Sequence, residues 1–372
     1  MKKVLIVSPV SLTNENNCGI SKIVFNLIYD NENIDFSIIC PRSKNNSELE
    51  IYIKKKYFNF EIKLVNYLKK FFQNNPFSKF ELYSVKDYIL SKSKSYDIIH
   101  VFSYKFISII NNLKPSIRTK IIVSLIDSEP RYYENLSQNE ENFFLKYLYK
   151  YLSLNSIKLE KKLIKYNIPL HFVSSIDAEF FRKKHYNFNL FNIYIVKNGV
   201  NKKIFFPIKN KNINNKKIVF YGNMNYKPNL KALNFIVNIS NLVNEFDFHI
   251  IGKLHSNSDV FREKNIIYRG YVKDLNYEIN NANIAIFPIF IGTGIKNKVL
   301  EAFATGVKVI ATKIATEDIP IPTNCKIINS HDPQIWANEI IKSSAQKNNY
   351  IATVPYTWNK FRNDFTKIYN KI

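Results

Sequence analysis

The chain has 372 residues, 46% hydrophobic and 15% aromatic, which excludes a disordered or collagen-like chain and suggests two domains of ~100–200 residues. Gly (8) and Pro (13) are too scarce for a repeat array or a Pro-rich linker. Three scattered Cys (Cys18, Cys40, Cys325) leave neither a disulfide scaffold nor a thiolate zinc site, as expected of a reducing compartment. The net charge is +24, with only seven Arg among 54 basic residues, and residues 1–200 and 201–372 carry +12 each. So even a spread, with abundant Lys, Asn, Ile, Phe and Tyr, reads first as AT-rich coding. An anionic membrane surface is the second reading. Nucleic acid is the third, because a nucleic-acid face is more often concentrated.

No apolar run reaches the ~20 residues of a spanning helix, Asn283–Ile291 being among the longest. Met-Lys-Lys followed by Val4–Val10 is too short for a secretory leader and reads as a first strand, so a soluble or membrane-surface protein is expected. Buried strands are expected at Val4–Ser8, Phe36–Cys40, Ile98–Phe102, Ile121–Ile126 and Leu170–Val173, all rich in Val and Ile. Helix-like stretches lie between them at Gly19–Tyr29, Ser84–Ser93 and Glu141–Tyr166. That alternation predicts a parallel sheet with helices on both faces. Near Ile193–Phe206 a strand ends in an Asn-Gly turn, and a polar linker runs to Lys217. A second alternation follows: strand Lys217–Tyr221, helix Leu230–Val243, strands Phe246–Ile251, Ile266–Arg269 and Ile284–Pro288, helix Lys296–Thr305 and strand Lys308–Ala311. The apolar spacing of Tyr356–Tyr369 predicts a closing helix. Two doubly wound halves of this kind bind ligands at the carboxyl ends of their strands.

The sharpest local signal runs from Gly292 through Thr293, Gly294, Ile295, Lys296, Asn297 and Lys298 to Glu301. It follows a strand and opens a helix. The glycines permit close backbone approach, and free N–H groups at a helix start suit a phosphate. Two cations at a helix N-terminus are locally unfavourable, which suggests an anion there. Glu301 follows Lys298 by three residues, on the same helix face, and its carboxylate can accept hydrogen bonds from sugar hydroxyls. Taken alone, the glycines could equally be a tight turn and Lys–Glu a surface pair.

This segment resembles the nucleotide-sugar signature of glycosyltransferase family 4, the group 1 transferases. Further pieces occur in register: Phe172–Ala178, Val196–Asn201 with Phe205-Phe206-Pro207, Val219–Asn229, Ile250–Gly252, Arg269–Asp274, Ala302–Thr312 and Thr357-Trp358. The resemblance implies a GT-B fold of class α/β: two facing Rossmann-like, doubly wound domains with a C-terminal crossover helix. It implies an acceptor-side domain of residues 1–200, completed by helix 356–372, and a nucleotide-sugar domain of residues 201–355.

By resemblance, Glu301 binds the ribose of the nucleotide. Thr293 stands where the family has a first Glu near the transferred sugar, and the backbone of Thr293–Ile295 could serve instead. Gly222, Asn223 and Lys227 lie at the entry to the second domain, where the family holds the diphosphate with Arg or Lys and a further Lys. With Asn223 at the Arg position and the spacing to Lys227 shifted, that charge compensation falls to Lys298 and Lys296. Arg269 and Tyr271 lie in a segment that resembles the nucleobase loop. Gly19 resembles the Gly-rich loop of the first domain. Ile126 replaces a family His just before Asp127, which is expected near the acceptor unless it or Ser128 is a helix cap. Glu129 lies beside it, Glu317 and Asp318 are candidates for lining the sugar pocket, and Asp97 and His100 read as structural.

The expected activity is retaining, metal-independent transfer from a UDP- or GDP-linked sugar to a glycan or lipid-linked acceptor in bacterial surface polysaccharide synthesis. No cofactor, no metal and no nucleic acid are expected. The expected location is the cytoplasm, with the inner face of the plasma membrane as a peripheral site. Two other classes stay open: a sugar-nucleotide-binding protein without transfer activity, and a basic nucleic-acid-binding protein.

Overall fold

The structure is a computed structural model that describes residues 1–11, 19–41, 57–60, 79–186, 192–209, 213–254, 265–346 and 352–372. Cys18 and residues 210–212 of the expected linker lie outside the described residues. The chain divides into two compact units, Met1–Lys197 with Trp358–Ile372, and Asn198–Thr357.

In the first unit the parallel strands are β1 (Lys2–Val7), β2 (Ile34–Pro41), β3 (Tyr57–Phe60), β4 (Ile98–Phe102), β5 (Ile121–Ser124), β6 (Leu170–Phe172) and β7 (Ile193–Ile195). They lie in the order β3-β2-β1-β4-β5-β6-β7. Val4 to Val7 and Ile98 to Phe102 are buried along their whole length, the continuous apolar run of a strand covered on both faces. The longer helices are α1 (Gly19–Ile28), α2 (Lys79–Lys92), α3 (Glu129–Gln138), α4 (Phe143–Lys165) and α5 (Ser175–Lys184), with the C-terminal α10 (Trp358–Lys371); Ile107–Ile110 and Pro115–Arg118 are single turns. The expected helix Glu141–Tyr166 starts at Phe143, because the Asn142 side chain caps it by accepting from the Leu145 N–H.

The closing helix belongs to this unit. Trp358, Phe361, Phe365, Ile368 and Tyr369 recur at helical spacing and pack with Phe36, Phe102 and Ile122. A buried polar chain pins it. The carbonyl of Val196 can only accept, so His171 Nε2 donates to it (3.0 Å) and His171 Nδ1 accepts from Ser124 (2.7 Å). Ser124 Oγ then accepts from His100 Nε2 (2.6 Å), and His100 Nδ1 accepts from the Tyr369 hydroxyl (2.6 Å). One carbonyl thus fixes both imidazole tautomers. The structural reading of His100 and Asp97 agrees with these partners, since Asp97 accepts from the Lys3 N–H at 2.8 Å.

Burial holds both rings neutral. His100 lies well below its ordinary range, from burial and then the neighbouring His171, and burial brings His171 to about 4. Their contribution to stability is therefore full above the unfolded pKa near 6.5 and is lost as the pH falls towards the folded values. For His171 alone the loss by pH 4 is on the order of 3 kcal/mol. Denaturant unfolding of wild type and His171→Gln from pH 8 to 4 should converge in acid. Parallel curves would contradict the neutral ring.

In the second unit the strands are β8 (Asn214–Tyr221), β9 (Asp247–Ile251), β10 (Ile266–Gly270), β11 (Ala282–Phe287), β12 (Lys308–Ala311) and β13 (Cys325–Ile327), in the order β10-β9-β8-β11-β12-β13 and again parallel. The helices are α6 (Lys227–Ser240), α7 (Leu275–Asn280), α8 (Asn297–Thr305) and α9 (Pro333–Ala345). Strand β8 starts three residues before the expected Lys217, because the exposed Asn214–Lys216 still pairs with β11 through Ala282. The strands β3 and β13 were not expected from sequence, each being too short for a pattern. No helix among the described residues is long and apolar enough to cross a membrane.

Candidate nucleotide-sugar site

The strand order of the second unit reverses between β8 and β11. The connections leaving these neighbours run to opposite sides, which opens a crevice at their carboxyl ends. Gly222 and Asn223 follow β8, Gly252 follows β9, Gly292–Lys296 lies between β11 and α8, and Thr312–Asp318 follows β12.

The backbone here is unusually close. Gly222 has φ +143° and Gly252 φ +124°, and a Cβ on Gly252 would lie 1.9 Å from the Gly222 carbonyl oxygen. A Cβ on Gly222 would lie 2.9 Å from the Lys298 Nζ, so the lysine's cation sits directly over the end of β8.

Lys298 Nζ donates to Asn229 Oδ1 at 2.6 Å and lies 4.9 Å from the centre of the Phe220 ring. Asn229 Nδ2 donates to the Asn223 carbonyl at 2.8 Å, and the Tyr221 hydroxyl donates to the Lys298 carbonyl at 2.5 Å. Helix α8 is thereby locked to the ends of β8 and α6. Desolvation brings the Lys298 ammonium down to about 7; the Glu301 charge pulls it up and Lys296 pushes it down. Burial, with the Glu301 charge second, holds the Tyr221 phenol well above its ordinary range. Glu301 is buried one turn into α8.

Helix α8 starts without a side-chain cap at Lys296, so no side chain of the cap residue covers its first N–H groups. Asn297 Oδ1 is buried and has no hydrogen-bond partner among the described residues. Lys296 behaves differently from Lys298. Its Nζ donates to the carbonyls of Thr293 (2.8 Å) and Gly294 (2.9 Å), and its stem lies over Gly292, where a Cβ would come 3.3 Å from Cε. Lys296 is therefore a clamp on the loop. This explains, without an anion, one of the two cations that the sequence places at this helix start.

The other sequence-derived residues are distributed as follows. Thr293, Gly294 and Ile295 are buried in the loop, which the Thr312 hydroxyl holds through the Ile289 carbonyl. Lys227 is the first residue of α6 and half-buried. Arg269 lies on the edge strand β10, 3.5 Å from Glu278, which is held in turn by Lys217 at 2.5 Å. The Tyr271 ring is exposed just beyond β10. Glu317 is half-buried after β12, beside Asp318 at φ +62°.

In the first unit, Gly19 opens α1, and a Cβ there would meet nothing within 4 Å among the described residues. Asp127 is exposed after β5. The cap of α3 is Ser128, which accepts from the Arg131 N–H at 3.4 Å. Glu129 pairs with Lys105 at 3.5 Å.

Sequence reasoning gave no separate role to Tyr221, Asn229 and Gly252. Asn229 and Gly252 lie inside segments that carry the family resemblance, but nothing in their spacing shows that one ties α6 to Lys298 and the other abuts Gly222. Among the described residues no three His, Cys, Asp or Glu side chains converge to hold a metal ion.

Residues 215–345 match the family model described as glycosyl transferases group 1. A search of the curated proteins finds no match in sequence. Among solved structures, sucrose-phosphate synthase from Thermosynechococcus elongatus is similar over 100% of this chain and 99% of its own, with 14% identity and a TM-score of 0.73. Anabaena HepE in complex with UDP and glucose is similar over 100% of both chains, with 11% identity and a TM-score of 0.72. A glycine-to-arginine mutant of S. aureus TarM in complex with fondaparinux, α-GlcNAc-glycerol and UDP is also similar over 100% of both, with 11% identity and a TM-score of 0.66. Residues 215–345 thus form a glycosyl transferases group 1 domain, and the chain that carries it is a glycosyltransferase of GT-B fold.

Proposed function

We propose that the chain is a retaining, metal-independent transferase that moves a sugar from a UDP- or GDP-linked donor to a glycan or lipid-linked acceptor in bacterial surface polysaccharide synthesis. It works on the cytoplasmic side, at or near the inner face of the plasma membrane. The observation that carries the reading is the Lys298 cation over Gly222 at the reversal of strand order, beside an α8 start that its own cap residue leaves open. UDP in the HepE and TarM structures supports the donor class.

The diphosphate rests against Lys298 and the first N–H groups of α8, and Glu301 accepts from the ribose hydroxyls. As the bond between the sugar's anomeric carbon and the phosphate oxygen breaks, its electron pair goes to that oxygen. Negative charge grows there, and a fixed cation and fixed N–H dipoles stabilise it more than they stabilise the bound donor. The acceptor hydroxyl attacks on the same face, and its proton passes to the leaving phosphate oxygen. These donors supply the charge compensation that a divalent cation would otherwise give.

Glu301→Ala should weaken donor binding by about 100-fold, the loss of two charge-assisted hydrogen bonds at ~1.5 kcal/mol each, with unfolding unchanged. Calorimetry on the variant checks this, and wild-type affinity would remove Glu301 from the site. Thr293, standing where the family resemblance implies a Glu near the transferred sugar, favours one second reading, a donor-binding protein without turnover. It predicts the same affinity with no sugar transferred to any acceptor in a mixed pool.

A further inference from the structure

We infer that the outer face of α4 is an anionic-lipid docking surface, with aromatic residues seating at the headgroup level and lysines beside them. Phe143, Phe144, Tyr147, Tyr151 and Leu154 are between 50% and 82% exposed. At 3.6 residues per turn they fall within an arc of about 100°, on one side of the helix. The opposite side is the packed one, with Tyr149, Leu152, Ser156 and Leu163 buried. Phe143 rests on Tyr147, their ring centroids 4.5 Å apart, so the patch is continuous.

The same arc continues into the second half of the helix as Lys158, Lys161, Lys162 and Lys165, all exposed. Lys146 and Lys150 flank the aromatic half, also exposed. The 23-residue helix therefore presents a strip of about 34 Å, aromatic at one end and cationic at the other. Glu140 and Glu141, just before the helix, are the acidic groups nearest in sequence to the patch.

A contiguous aromatic patch on water needs a cover. A second copy of this face would bring lysines against lysines in a parallel pairing and, in an antiparallel one, would set each copy's rings against the other's lysines and leave the cations without an anion. A bilayer rich in anionic lipid satisfies both halves at once, because phenylalanine and tyrosine rings partition to the headgroup boundary and lysines meet the negative surface potential. The docking surface goes beyond the transferase reading and does not depend on it. If the acceptor is lipid-linked, this face holds the enzyme at the surface that carries it.

The test is flotation of the full chain with phosphatidylcholine vesicles, with and without phosphatidylglycerol. Wild type should float only with the anionic vesicles. Phe143→Ser with Phe144→Ser should lower that binding by at least tenfold. Replacing Lys158, Lys161, Lys162 and Lys165 by Gln should cost about fivefold per lysine. A Phe144→Trp reporter should shift to the blue on anionic vesicles and be quenched by brominated lipid. Nucleotide binding, titrated on the same variants, should stay at the wild-type value, so failure of the donor site and failure of the docking face are read separately. Undiminished flotation of the Phe143/Phe144 variant would overturn the proposal. So would no flotation of wild type, self-association lost in that variant, or binding of this face to an oligonucleotide in place of vesicles.

Discussion

Lys298→Met should lower kcat/KM for the sugar donor by about 10²–10³, the usual cost of removing one preorganised charge donor from a developing oxyanion. The larger share should fall in kcat, because the charge that Lys298 faces grows as the donor bond breaks. The substitution also removes the hydrogen bond to Asn229 Oδ1 that ties α8 to α6, so the unfolding midpoint of the variant is measured beside its kinetics. The Lys298 Nζ lies 4.9 Å from the centre of the Phe220 ring, which a methionine side chain can also face, and the carbonyl that accepts from the Tyr221 hydroxyl belongs to the backbone and is kept. The pH dependence follows from the ammonium at about 7. A bound diphosphate favours the charged form, so binding takes up a proton. Wild-type affinity should be flat below pH 7 and fall by up to tenfold per pH unit above it. In Lys298→Met that fall should disappear. Steady-state kinetics and calorimetry between pH 6 and 9 check both parts. Unchanged turnover in the variant would take Lys298 out of the reaction.

Gly252→Ala should destabilise the second unit by about 4 kcal/mol or more, from a clash combined with backbone strain at positive φ. The new methyl would meet the Gly222 carbonyl oxygen at 1.9 Å, and neither strand end can retreat without breaking β8–β9 pairing. Because Lys298 hangs over Gly222, donor binding should be lost along with stability. Gly19→Ala is the control: its new methyl meets nothing within 4 Å among the described residues and should leave the unfolding midpoint near wild type. Denaturant unfolding of both variants separates the cases. A Gly252→Ala chain as stable as wild type would contradict the close approach of the two strand ends.

The sheet layout was legible in the sequence because parallel strands buried on both faces are continuous Val and Ile runs. Ile98–Phe102 and Lys308–Ala311 coincide with the expected limits residue for residue. Short elements were not legible, since Tyr57–Phe60 and Cys325–Ile327 carry too few residues to show a period. The turn from Gly292 to Lys298 was legible as a Gly-rich loop that follows a strand and opens a helix, because glycine spacing is a local signal. The separate duties of its two lysines were not. Only the fold turns Lys296 back onto the loop's own carbonyls and sends Lys298 to Asn229, 69 residues away. Arg269 shows the same limit. The resemblance sets it in a nucleobase loop, and only the fold shows that its side chain lies beside Glu278, which Lys217 also holds.

Donor binding in the absence of metal tests the central claim most directly. Calorimetric titration of the full chain with UDP, GDP, ADP and CMP and their common sugar conjugates should be run in chelator and then with Mg²⁺. One nucleotide family should bind in chelator, with little gain from Mg²⁺, and the binding should weaken about 100-fold in Glu301→Ala. Binding that appears only with Mg²⁺ would contradict the metal-independent site, and no binding of any nucleotide under either condition would contradict the assignment of the second unit as the donor site.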